Sequence, residues 1–195
     1  MSTTEPTTPT TAPTTTPTTP AVTWTRRLED ESALDPLVRA VRPLAQALVA
    51  DPARRDLLRG TAVGHAVHPP LTDVPIGFWA SALTLDLLGG RAARPAAQRL
   101  VALGVLSAVP TAVTGWAEWS GLGEREQRVG VVHAISNVVA VVGFAASWRA
   151  RARGHQVRGK ALALGASGAL GLGGYLGGHL VSARKVSSRH PAFDD

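Results

Sequence analysis

From Val129 to Trp148 the chain runs for twenty residues without a formal charge, close to the length an α-helix needs to cross a hydrocarbon core of about 30 Å. No other feature limits the fold so strongly. In lipid every backbone N–H and C=O must find its partner within the protein, and a helix meets that demand by itself. Three further apolar segments share the pattern. One runs from about Asp73 to Gly89 and is interrupted by Asp86; one runs from Leu100 to Trp119 with Pro110 at mid-span, where a kink is expected. The last, Ala161 to Ala183, places Gly173 with Gly177 and Gly174 with Gly178 at small-xxx-small spacing, which lets helices approach closely. The expected fold is all-α: an integral membrane four-helix bundle over residues 61–183, running up-down-up-down.

The flanks obey different rules. Residues 1–33 open with a Thr/Pro-rich stretch that has too little apolar content to offset ordering, so a disordered tail is expected there. A basic start and an apolar h-region are both missing, so insertion is expected to rest on the later segments. Residues 34–60 carry Leu34, Leu37, Val38, Val41, Leu44, Leu48 and Val49 at helical spacing, the mark of amphipathic interfacial helices. Asp35-Pro36 and Asp51-Pro52 read as helix starts and Gly60 as a stop. These helices are expected to lie on the membrane surface, although packing against the end of the bundle gives the same pattern. Residues 184–195 form a polar C-terminal tail. The net charge of +6 comes from Arg and Lys that flank apolar runs, so they read as headgroup anchors and not as a nucleic-acid footprint. The two faces carry equal numbers of them, which leaves orientation open.

With no cysteine, any haem or metal site must be built from His, Tyr, Asp, Glu or backbone oxygen. Alternating helix direction brings His65, His68, Asp73, Glu118, His133 and His179 to one face. Ser107, Thr111, Thr114 and Glu118 form a polar stripe, as do His133 with Asn137, and Tyr175 with His179 and Ser182. Ionisable residues inside a membrane are costly and are candidates for function. The expected cofactor is b-type haem or a metal ion, with His133 and His179 as preferred ligands and His68 next. His65 is a further metal candidate, Tyr175 and Asn137 are neighbours of the bound group, and Asp73 or Glu118 orients an imidazole or passes protons. Each residue also has a purely structural reading as an interfacial turn or an interhelical hydrogen bond. Asp86 stands apart and is expected to pair with the Arg91 side of its loop. No phosphate-binding loop is present, and no independent enzymatic activity is expected.

The string GHAVHPPLTDVPIGFWASALTLDLLGG, with TGWAEW, VHAISN and GGYLGGHLV, resembles the bacterial membrane family called domain of unknown function 2231, over roughly residues 60 to 183. The resemblance implies a four-span membrane domain without an established activity, sometimes joined in one chain to a Rieske iron-sulfur domain. It carries His68, Asp86, His133, Asn137 and His179 as family-pattern positions; where members often read GHPLHP, this chain reads GHAVHP. A Rieske-type partner would here be a separate chain, since the thiolate ligands are missing. The reading is a multi-pass protein of the bacterial inner membrane, with the lipid bilayer as partner and a homodimer as one possible assembly. Its function is either a redox module built on the histidine layer or a cofactor-free scaffold; a transporter is a third option that would require a dimer.

Overall fold

The computed structural model describes residues 18–193, and their regular structure is helical. Within the stretch expected to be disordered, residues 1–17 lie outside the described residues. Pro20–Asp30 forms helix α1 instead. Thr19 caps it by accepting the Val22 N–H at 3.4 Å, and Pro20 fills the first turn, where its missing N–H costs nothing. Thr25 and Glu29 face inward, so α1 is held by polar contacts to distant parts of the chain, which local composition does not reveal.

Helices α2 (Asp35–Leu48) and α3 (Pro52–Arg59) follow, α2 passing through Pro43 without a break. The Asp51 carboxylate accepts the Arg54 N–H at 2.8 Å, and Gly60, at φ 72°, closes α3 in the left-handed conformation that glycine adopts without strain. Asp35 opens α2 but spends its side chain elsewhere, on Arg128. Both helices lie against the ends of the long helices: Val38 and Ala45 are buried with Trp119 and Val131. The face of α2 that carries Val38 and Ala45 thus meets protein, whereas Leu44 of α2 and Leu57 of α3 are exposed.

Four long helices complete the chain: α4 (His68–Leu88), α5 (Arg94–Trp119), α6 (Glu124–Ala152) and α7 (Gln156–Gly178), the last ending in a widened π-type turn over His179–Ala183. α4 starts earlier than expected because Pro69 and Pro70 fall in its first turn, a position that suits proline. α5 continues through Pro110. α4, α5 and α6 are long and apolar enough to cross a membrane. α7, expected as a fourth span, is not among them: seven residues between Ala161 and Gly178 are glycine, which adds no apolar side chain.

α4 packs along α5 and α6 along α7, with α5 against α6 and α7 against α4. α4 and α6 therefore face each other across the middle, where Trp79 stacks on Phe144 with ring centroids 4.2 Å apart and planes 6° from parallel. Val101, Ala82, Ala108, Ala163 and Ala166 close around them. The outer surface is apolar too, with Leu106, Val109, Val138, Val142 and Leu164 all exposed. A surface of that kind is unfavourable in water and at home in lipid.

In the cap made by α1 to α3, ion pairs tie α1 and α2 down, and Arg59 holds α3 by donating to the Ala117 carbonyl and the Ser120 hydroxyl. Arg128 on α6 grips Asp35 through two parallel hydrogen bonds, at 2.7 and 3.1 Å, and also donates to the Glu29 carbonyl. That hydrogen bond, more than the charge alone, holds the Asp35 carboxyl below its ordinary value. Because the folded-state value is the lower one, the pair's contribution is complete above the unfolded value of about 3.9 and disappears as pH falls through the folded one. The protection of α2 amides against hydrogen exchange, relative to the intrinsic rate at each pH, is therefore expected to be flat from neutral pH to about pH 4 and to fall below it. In Asp35→Asn the acid step should vanish; an unchanged step would assign it to another carboxylate.

Candidate functional site

The interior near the end that carries the chain termini is polar, and backbone carbonyls organise it. His68 sits at the first residue of α4, and its Nδ1 lies 2.9 Å from the Thr111 carbonyl of α5, with Thr114 Oγ1 at 3.4 Å. Thr111 donates in turn to the carbonyls of Leu71 and Ser107. His133, inside α6, places Nδ1 2.8 Å from the Gly173 carbonyl of α7, and Asn137 Nδ2 lies 3.0 Å from its Nε2. A carbonyl only accepts, so each Nδ1 carries the proton and each Nε2 is left as the basic nitrogen. The two rings meet edge to face, centroids 6.5 Å apart.

Both imidazoles rest on glycine. A Cβ on Gly115 would lie 2.7 Å from His68 Cε1, one on Gly177 3.0 Å from His133 Cε1, and one on Gly173 2.5 Å from Asn137 Oδ1. The glycines of α7 thus serve as seats for polar side chains of α6. Gly115→Ala is expected to drive His68 off the Thr111 carbonyl, at a cost of about 1–3 kcal/mol, read as a lower thermal midpoint in detergent. A midpoint equal to that of the unaltered chain would show that the ring can withdraw freely.

The remaining expected residues lie elsewhere. His179 Nε2 is 2.7 Å from Glu29 Oε1 of α1, and Arg184 approaches the same oxygen at 3.4 Å. Arg184 also donates to Glu126, a hydrogen bond that raises its pKa above the ordinary guanidinium value. His179 is therefore committed to the cap and not to His133. Tyr175 is exposed, near Trp24 of α1, with its hydroxyl 3.5 Å from the Ala21 carbonyl. His65 lies on the outer loop, where its backbone pairs with Arg189. Asp73 is exposed on α4. Glu118 accepts the Ser188 N–H at 2.9 Å, pinning the C-terminal segment, which also runs beside residues 64–66.

Neither expected cofactor fits this arrangement well. Among the described residues, no group of three His, Cys, Asp or Glu side chains is placed to hold a metal ion. The preferred haem pair, His133 and His179, is not brought together, because Glu29 takes one and Gly173 with Asn137 takes the other. The structure unites His68 with His133 instead. Sequence reasoning missed Glu29, because it falls in the stretch expected to be disordered, and it missed the glycine seats. The only available signal for the seats was that Gly115, Gly173 and Gly177 fall beside the expected polar stripes.

A second polar centre occupies the opposite end. Arg151 on α6 donates Nη1 to Asp86 Oδ1 at 2.8 Å and Nη2 to the other oxygen, while its Nε reaches Ser147, which donates to the Gly159 carbonyl at 2.6 Å. Lys160 donates to the Asp86 backbone carbonyl. The expected partner of Asp86, Arg91, is exposed and takes no part.

Long apolar helices, a largely apolar exterior and charged groups gathered toward the two ends define a membrane protein. The chain belongs to the family described as predicted membrane protein, DUF2231, whose pattern matches residues 64–190. No curated protein and no solved structure matches it.

Proposed function

We propose that this chain is a multi-pass protein of the cell membrane, with α4 to α7 as four spans, that acts as a cofactor-free interaction module holding anionic lipid at its loop end. The observation that carries this reading is an asymmetry in where the acids lie: among the described residues, the end bearing the termini holds all of them but one, although Arg26, Arg27, Arg39 and Arg54 make no ion pair there. At the end bearing the termini, Arg125 pairs with Asp30, Arg128 with Asp35, and Arg184 with Glu126 and Glu29. At the loop end Asp86 is the sole acid, since none occurs between it and Glu118 or between Glu126 and Asp194, and Arg151 takes it. Arg91, Arg99, Arg149, Arg153 and Arg158 stand exposed there without an acidic partner among the described residues. Beside them Leu87, Leu88, Val157 and Trp148 are exposed as well, the mixture that suits the headgroup layer. The histidine layer, in this reading, fastens α4 to α5 and α6 to α7.

Reconstitution of the full chain into bilayer discs tests the idea. Phosphatidylglycerol is expected to raise the thermal midpoint above that in phosphatidylcholine, and added salt to shrink the gain. Changing Arg149, Arg153 and Arg158 to Gln should abolish the gain. Equal midpoints in the two lipids would end this reading.

A redox module is the second reading, favoured by one observation: His68 and His133 meet at 6.5 Å with each Nδ1 held by a carbonyl, the tautomer in which Nε2 can bind iron. Asn137 on His133 and the glycine seats weigh against it. Protein made with haem supplied and showing no Soret band would remove it.

A further inference from the structure

Three side-chain pairs cross the middle between α4 and α6, and their residue numbers differ by the same 65 in each: 68 to 133, 79 to 144 and 86 to 151. Burial repeats with the same offset. Pro75 and Ala140 are buried, as are Ala82 and Ser147, whereas Asp73 with Val138 and Val74 with Val139 are exposed. The second helices correspond with an offset of 62. His68 bonds the Thr111 carbonyl and rests on Gly115; His133 bonds the Gly173 carbonyl and rests on Gly177. Buried Val101, Gly104 and Thr114 correspond in the same way to buried Ala163, Ala166 and Leu176. When two like units face each other about a twofold axis, each residue near the axis meets its own equivalent.

We propose that α4–α5 and α6–α7 are two copies of one helical hairpin set face to face about a pseudo-twofold axis, with Asp86 and Arg151 selecting the pairing of unlike hairpins. The axis runs along the long helices, since α4 and α6 point the same way, and so along the membrane normal. Two of the matched pairs, His with His and Trp with Phe, allow either hairpin to face a second copy of itself. The third forbids it. Two α4–α5 hairpins would bring Asp86 against Asp86, and two α6–α7 hairpins Arg151 against Arg151, at a site where the side chains are 5% and 0% exposed. Buried like charges exclude such assemblies, so the device pairs each hairpin with an unlike one, and the covalent link between α5 and α6 makes the hairpin of the same chain the favoured partner.

Full-length chains carrying two different tags test this. Asp86→Arg places arginine at both matched positions, and Arg151→Asp places aspartate at both. Each alone is expected to lower the yield of folded, detergent-extracted protein by about tenfold or more. Co-expressed, the two variants should recover as a one-to-one complex retained by both tags, because unlike hairpins from different chains then carry opposite charges. Two differently tagged unaltered chains should form no such exchanged complex. Either single variant accumulating at the normal yield, or the co-expressed pair recovering no better than the singles, would overturn the proposal.

Discussion

Asp86→Ala should lose about 3–5 kcal/mol of stability, the cost of leaving a buried charge without its partner. The Arg151 side chain is fully buried, with 0% exposure, and Asp86 is the acid that faces it. Its remaining contact is the Ser147 hydroxyl, a neutral acceptor that cannot balance a positive charge. Lys160, with Nζ 3.8 Å from the same carboxylate, would add repulsion once the carboxylate is gone. The measurement is the thermal midpoint of detergent-solubilised protein. Asp86→Leu combined with Arg151→Met should recover most of the loss, because removing both charges removes the desolvation penalty with the attraction. If the single variant melted with the unaltered chain, water or a lipid phosphate would have to reach Arg151.

Trp79→Ala should cost a similar amount, about 3–5 kcal/mol, by opening a large cavity on the axis. Trp79 is 2% exposed, lies parallel to the Phe144 ring, and donates its indole N–H to the Val101 carbonyl at 3.3 Å. Gly104 is its seat: a Cβ there would lie 2.3 Å from the indole nitrogen. Trp79→Phe keeps most of the stack and should cost clearly less. Comparable midpoints for the Phe and Ala variants would show that the stack does not carry the core. The stack also closes the axis within one chain, which argues against a permeation path there.

Much of this architecture was legible in the sequence because lipid enforces it locally. The uncharged stretch from Val129 to Trp148 lies wholly within α6, and the stripe of Thr111 and Thr114 does meet an imidazole, because helical periodicity settles which residues share a face. What was not legible depends on contacts between distant parts of the chain. α1 is held by Glu29, Asp30 and Tyr175 contacts to α6, α7 and the turn beyond, so its own composition carries little helix signal. Asp86 could be assigned a partner only by proximity along the chain, and Arg91 was nearest. The true partner lies across the axis. The histidines were likewise placed at the correct end, but periodicity could not say that His179 faces α1 while His68 faces His133.

The ion pair on the axis also constrains the order in which the protein is made. A ribosome reaches Asp86 well before Arg151, and at about 5–20 residues per second the intervening 65 residues take several seconds. During that time the α4 carboxylate has only the arginines of its own loop, such as Arg91, for counter-charge, and none of them makes the two-pronged grip that Arg151 later supplies. The contact that buries Asp86 is therefore among the last to form, after the second hairpin has been made.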